Sequence, residues 1–221
     1  MAKISGPVIG AASGTVRQLV ILCHGYGADG NDLIGLAPYW QGLLPDADFI
    51  SPNAPERCDA GFGYQWFPIT RLDPQELYRG VSSAAPVLDV LIDEELAKRG
   101  LDESNLALVG FSQGTMMALH VGLRRKRALA CIIGFSGAMV GGEGLAAEIV
   151  SRPPVLMVHG DSDEMLPVSR MLEAVKVLGE NGLSVQSHVL RGLGHGIDEA
   201  GLRLGGAFLA EHLARVIPAT T

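Results

Sequence analysis

Four short stretches, "QLVILCH" (18–24), "LALVGF" (106–111), "CIIGFS" (131–136) and "VLMVHG" (155–160), are apolar nearly from end to end. A strand with one face in water alternates apolar and polar residues, so a run without alternation predicts a strand covered on both faces, as in a parallel sheet. "DFISP" (48–52) and "VQSHVL" (185–190) have strand length but less uniform apolarity. Segments of helix length lie between these runs. Residues 81–99 set Val81, Ala84, Leu88, Leu91 and Ile92 near helical spacing and stop at Gly100, and residues 113–125, 168–181 and 199–216 read similarly. Pro86 predicts a late start or a kink in the first of them. Alternating strands and helices predict an α/β fold, a mostly parallel central sheet with right-handed crossovers and helices on both faces. With 221 residues, 48% of them hydrophobic, and no internal repeat or linker, the expectation is one domain over 1–221.

A formal charge of −7 argues against a nucleic-acid partner. The basic run RRKR (124–127) reads as a solvated helix end. The opening residues lack the apolar core of a signal peptide, and no apolar run reaches bilayer length, so no stable membrane insertion is expected. Cys23, Cys58 and Cys131 are odd in number, widely spaced and outside any CxxC, which suits a reducing, cytoplasmic location better than a disulfide frame or zinc site. The loop 53–80 is long enough to be functional. Two readings of it stand: Trp66 and Phe67 form a small core of its own, or they line a substrate site.

Ser112 lies where the run 106–111 gives way to a helix, flanked by Gly110 and Gly114. G-x-S-x-G in that context is the pattern of a nucleophile elbow, which exposes a serine hydroxyl at the carboxyl end of a sheet with a helix N-terminus behind it. Ser136 in "GFSGA" also ends a strand, but Ala138 breaks the pattern and Ser136 reads as structural. A serine nucleophile needs a base and an acid, expected in the chain order serine, acid, histidine. Of six histidines, His24 precedes the serine, His120 and His212 fall in predicted helices, and His159 and His188 belong to strands. His195, in the glycine-flanked loop "RGLGHGID", suits the base. "HGDSDEMLP" offers Asp161, Asp163 and Glu164 as the acid. Asp161 follows the strand directly and is expected to secure the turn through its own backbone. Asp163 lies farther over the sheet edge, and Pro167 then starts a helix. Backbone N–H groups of Gln113 and of Tyr26, in "HGYGADG" (24–30), are the expected oxyanion donors.

With these residues assembled, the chain resembles the phospholipase/carboxylesterase family of α/β-hydrolases. The likeness runs through "LVILCHGYGADGNDL", "ISPNAPERC", "WFPI", "GFSQGTMMAL", "HGDSDEMLPV" and "GLGHGI". It implies an α/β-hydrolase fold without a large cap, with Ser112 as nucleophile, Asp163 as acid, His195 as base, and Tyr26 and Gln113 at the oxyanion. It also implies an acyl-binding wall that includes Trp66. Phe67, Met165 and Leu166 are expected to join it in contacting substrate. Cys23 and Tyr26 depart from the leucine expected in many relatives; a backbone donor tolerates such a change, and the acyl pocket near Tyr26 is expected to differ. The implied activity is hydrolysis of short-to-medium acyl carboxylic esters through an acyl-enzyme, without metal or organic cofactor. Lysophospholipase or acyl-protein thioesterase activity is the alternative within the same chemistry. A non-catalytic binding module is the rival from another class, and a homodimer built on an exposed apolar patch is compatible with the sequence.

Overall fold

The computed structural model describes residues 4–58, 61–70 and 73–213. The strands are β1 (Val8–Ile9), β2 (Gln18–Cys23), β3 (Ala47–Ile50), β4 (Glu56–Arg57), β5 (Tyr64–Gln65), β6 (Leu106–Phe111), β7 (Cys131–Phe135), β8 (Val155–Gly160) and β9 (Val185–Leu190). The α-helices are α1 (Gly30–Ile34), α2 (Ala37–Trp40), α3 (Pro74–Arg99), α4 (Gln113–Gly122), α5 (Leu145–Glu148), α6 (Ser169–Glu180) and α7 (Glu199–Leu213). Seven strands form one sheet in the order β1-β3-β2-β6-β7-β8-β9, and β4 pairs with β5 in a separate hairpin. The large sheet is parallel except at β1, which runs antiparallel to β3.

The four uniformly apolar runs are β2, β6, β7 and β8, all interior strands. Alternate residues feed two cores. Leu19, Ile21 and Cys23 of β2 join α3, α4 and α6 on one face, while Val20 and Leu22 join α1, α2 and α7 on the other. Each such aliphatic side chain contributes about 1.5–3 kcal/mol when fully buried, so these strands are stabilised from both sides. β9 is an edge and is only partly covered, which accounts for the polar Gln186 and Ser187 within it. This is the α/β-hydrolase arrangement expected above. The link from β7 to β8 holds one 3-10 turn and the short α5, so no cap domain is built there. Among the described residues no helix is long and apolar enough to cross a membrane.

Two expectations need correction. The helix predicted over 81–99 starts at Pro74, earlier than expected, and continues through Pro86 to Arg99. Asp73 accepts from the amides of Gln75 and Glu76, Pro74 occupies the first turn, and Gly100 closes the helix in the left-handed region. Leu77 and Val81 before Pro86, and Leu88, Leu91 and Ile92 after it, are buried, so tertiary packing outweighs one missing helical hydrogen bond. The RRKR run is a solvated helix end only in part: Lys126 and Arg127 are exposed and Arg124 donates to His120 O of α4 at 2.9 Å, but Arg125 is not solvated. α4 stops at Gly122, and the Arg125 side chain, only 10% exposed, reaches Asp89, Asp93 and Glu103. Arg124 pairs with Glu148, and Arg127 with Asp102. α7 is described to Leu213, and the expected continuation to 216 lies outside the described residues.

Candidate active site

β6 ends at Phe111 and α4 begins at Gln113, leaving Ser112 alone at the join with φ 53° and ψ −115°. That conformation is unfavourable for a residue with a side chain and persists only where the surroundings over-determine it. They do so here. The Ser112 amide donates to Phe135 O at 2.9 Å, and the single proton of the Thr115 hydroxyl is shared between Gly110 O (2.9 Å) and Phe135 O (3.0 Å). The flanking glycines permit the close packing. A Cβ on Gly114 would stand 1.8 Å from Cys23 O, and one on Gly110 would stand 2.4 Å from the Gly114 backbone. Larger residues would push α4 off β2 and β6.

Asp163 lies in the loop after β8 with its side chain wholly buried. Its Oδ1 accepts from the amides of Met165 (3.0 Å) and Leu166 (2.8 Å), and its Oδ2 meets His195 Nδ1 at 2.7 Å. Burial alone would raise this carboxyl. The Leu166 amide, the His195 hydrogen bond and the nearby His195 and His159 outweigh it and hold Asp163 below its ordinary value. The carboxylate can only accept, so His195 Nδ1 carries a proton and Nε2 is the acceptor of the neutral ring.

The loop carrying His195 is tied at two points. Asp161 Oδ1 accepts from Gly192 N at 2.6 Å, and the Ser136 hydroxyl donates to Gly196 O at 3.1 Å. Asp161 thus secures the base loop as well as its own turn, where Oδ1 also accepts from the Ser162 hydroxyl at 3.0 Å. Ser136, fully buried, is an anchor with no exposed hydroxyl.

Ser112 and His195 line one cavity of about 500 Å³, together with His24 to Ala28, Asp32, Leu33, Leu36, Phe111, Met165 and Ile197. That size is ordinary for a small-ligand site, roughly 300–1,000 Å³. Tyr26 and Met165 are exposed at its rim. A larger hollow of about 830 Å³ lies between α3 and α6 and includes none of Ser112, Asp163 and His195. Among the described residues no group of three or more His, Cys, Asp or Glu side chains could hold a metal ion.

The sequence profile of the phospholipase/carboxylesterase family matches residues 5–213. The chain belongs to the phospholipase/carboxylesterase family. A solved structure of an esterase designated PE8 is 45% identical and superposes with a TM-score of 0.92, covering 96% of this chain and 100% of that one. Acyl-protein thioesterase 1 of Emericella nidulans is 30% identical, covering 90% of each chain. Esterase YpfH of Escherichia coli is 25% identical, covering 91% of this chain and 84% of that protein.

In this member of the phospholipase/carboxylesterase family, Trp66 and Phe67 do not line the cleft. Both are 1% exposed and belong to the main core beside α3 and α4. Trp66 is a strut instead. Its amide donates to Gln113 Oε1 at 2.9 Å, its indole N–H donates to His24 O at 3.0 Å, and Gln113 Nε2 donates to Phe67 O at 2.7 Å. One residue therefore joins the loop of Tyr26 to the start of α4. Phe67 packs against Gly80, where a Cβ would meet its ring at 2.4 Å. Leu166 is also buried and is absent from the cleft lining; its backbone serves Asp163.

His24 completes the frame, with Nε2 accepting from Ala54 N at 2.9 Å and Nδ1 beside Gly25 O at 2.7 Å. Sequence reasoning set His24 aside because it precedes the serine. Its partners are backbone groups, which leave no signature in residue identity. Trp66→Phe is expected to strand the His24 carbonyl in a dry interior and cost about 1–3 kcal/mol of stability. Urea denaturation would measure it, and an unchanged midpoint would show that the strut is dispensable.

Proposed function

We propose that the chain, acting as one domain, is a serine hydrolase that cleaves carboxylic esters of short-to-medium acyl chains. The observation that carries this reading is the strained Ser112 lining the same cleft as His195, whose Nδ1 is bonded to buried Asp163. Ser112 attacks the acyl carbonyl while His195 Nε2 takes its proton, and Asp163 holds the ring and stabilises the imidazolium. The carbonyl oxygen gains negative charge and is met by the backbone N–H groups of Gln113, at the N-terminus of α4, and Tyr26. His195 returns the proton to the leaving alcohol, then activates the water that releases the acid.

The apolar side of the cleft, Leu33, Leu36, Phe111, Met165 and Ile197, suits an acyl chain of limited length. Each added buried CH₂ is worth about 0.8 kcal/mol, so kcat/KM should climb with acyl length until the cleft is full and then level or fall. A graded panel of p-nitrophenyl esters measures this, with EDTA expected to have no effect. Strict preference for very long chains, or loss of activity with EDTA, would sink the reading. Thioester hydrolysis is the second reading, favoured by the likeness to a protein named acyl-protein thioesterase. Running matched acyl thioesters beside the esters separates the two.

A further inference from the structure

Asp163 has a second imidazole beside it. His159, near the end of β8, is wholly buried, and its Nε2 stands 2.8 Å from Leu166 O and 3.1 Å from Asp163 Oδ2, the oxygen that His195 also holds. Both neighbours of Nε2 are acceptors, so Nε2 must carry the proton. His159 Nδ1 is buried without a hydrogen-bond partner.

We propose that His159 is a positioning residue for the catalytic acid, holding Asp163 in register with His195 and moderating the charge that His195 sees. The inference rests on the Ser112–His195–Asp163 reading above. Two routes lead from the one N–H. By donating to Leu166 O it closes the acid loop, and the amide of that same Leu166 donates to Asp163 Oδ1. The loop is thereby clamped to β8 on both sides of the Leu166 residue. The positive end of the N–H dipole also lies against Oδ2 and withdraws part of the charge that would otherwise face His195 alone. The titratable groups that meet here are His159 on β8, Asp163 on the loop after it and His195 on the loop after β9. From β6 the apolar Phe111 ring packs on His195, and from the end of β7 the neutral Ser136 hydroxyl binds Gly196 O. Neither adds charge.

The test compares His159→Leu, which deletes the N–H, with His159→Gln, whose terminal amide can reach the place of Nε2. His159→Leu should lower kcat by about ten- to a hundredfold with KM little changed, the scale of a misplaced catalytic group. The acid limb of its kcat/KM profile should move to higher pH, because an unmoderated Asp163 favours the His195 imidazolium. His159→Gln should restore most of kcat and return the limb. Wild-type kcat and limb in His159→Leu would overturn the proposal, as would a glutamine variant no better than leucine. If the leucine variant does not fold, His159→Asn replaces it, because its shorter amide reaches the place of Nδ1. Active glutamine with impaired asparagine supports the proposal, and equal behaviour of the two overturns it. Ser112→Ala and Asp163→Asn run alongside. If they stay active, the triad reading has failed; if they fall silent while His159→Leu does not, only the role of His159 has.

Discussion

Ser112→Ala is expected to remove both ester turnover and labelling by a fluorophosphonate probe while leaving the fold intact. Alanine keeps the Cβ already present at φ 53°, and the bonds that fix the elbow come from backbone groups and Thr115, so the variant adds no strain. Loss of such a nucleophile lowers kcat by on the order of 10⁶ in a serine hydrolase. The control is Ser136→Ala. Ser112 and Ser136 are the two non-glycine residues with positive φ among those described, so backbone strain alone does not separate them. Burial does: Ser136 is inaccessible and engaged with Gly196 O. Ser136→Ala should remain labelled. Labelling lost from Ser136→Ala and kept in Ser112→Ala would reverse the assignment.

Asp163→Asn should lower kcat by about 10⁴, the scale seen when a triad acid becomes an amide. The amide oxygen can still accept from Met165 and Leu166, so the loop keeps its shape. The amide nitrogen, placed where Oδ2 was, would present hydrogens to His195 Nδ1 and impose the wrong tautomer. Asp161→Asn is the paired measurement. Asp161 holds Gly192 N, and Ser136 independently anchors the same loop at Gly196, so this variant should cost about 1 kcal/mol of stability and little rate. Measuring kcat and Tm for both variants decides between them. A large kcat loss confined to Asp161→Asn would move the acid to position 161.

What could be read from the sequence followed burial. β2, β6, β7 and β8 announced themselves because strands covered on both faces need apolar residues at consecutive positions. Ser112, Asp163 and His195 could be singled out because each follows a strand, where the chain turns across the sheet edge. Structure held by packing or by backbone partners was hidden. Pro86 looked like a boundary, but the buried residues of α3 on both sides of it dominate. Arg125 looked solvated because its three carboxylates lie far along the chain on α3 and at Glu103. Trp66 looked like a pocket wall because its residue type does not reveal that its indole N–H meets a main-chain carbonyl. β1, β4, β5, α1 and α2 are each five residues or fewer, too short to show a period.

The glycines at 110 and 114 answer to the contact between α4 and the strands beneath it, and the hydroxyl at 112 plays no part in that contact. Inheritance can therefore treat the two separately. A descendant that lost its serine would still need both glycines to keep its helix seated, and would retain the outward pattern of an active relative. Glycine spacing in such a lineage records ancestry of the scaffold, and only the residue between them reports whether the chemistry survives.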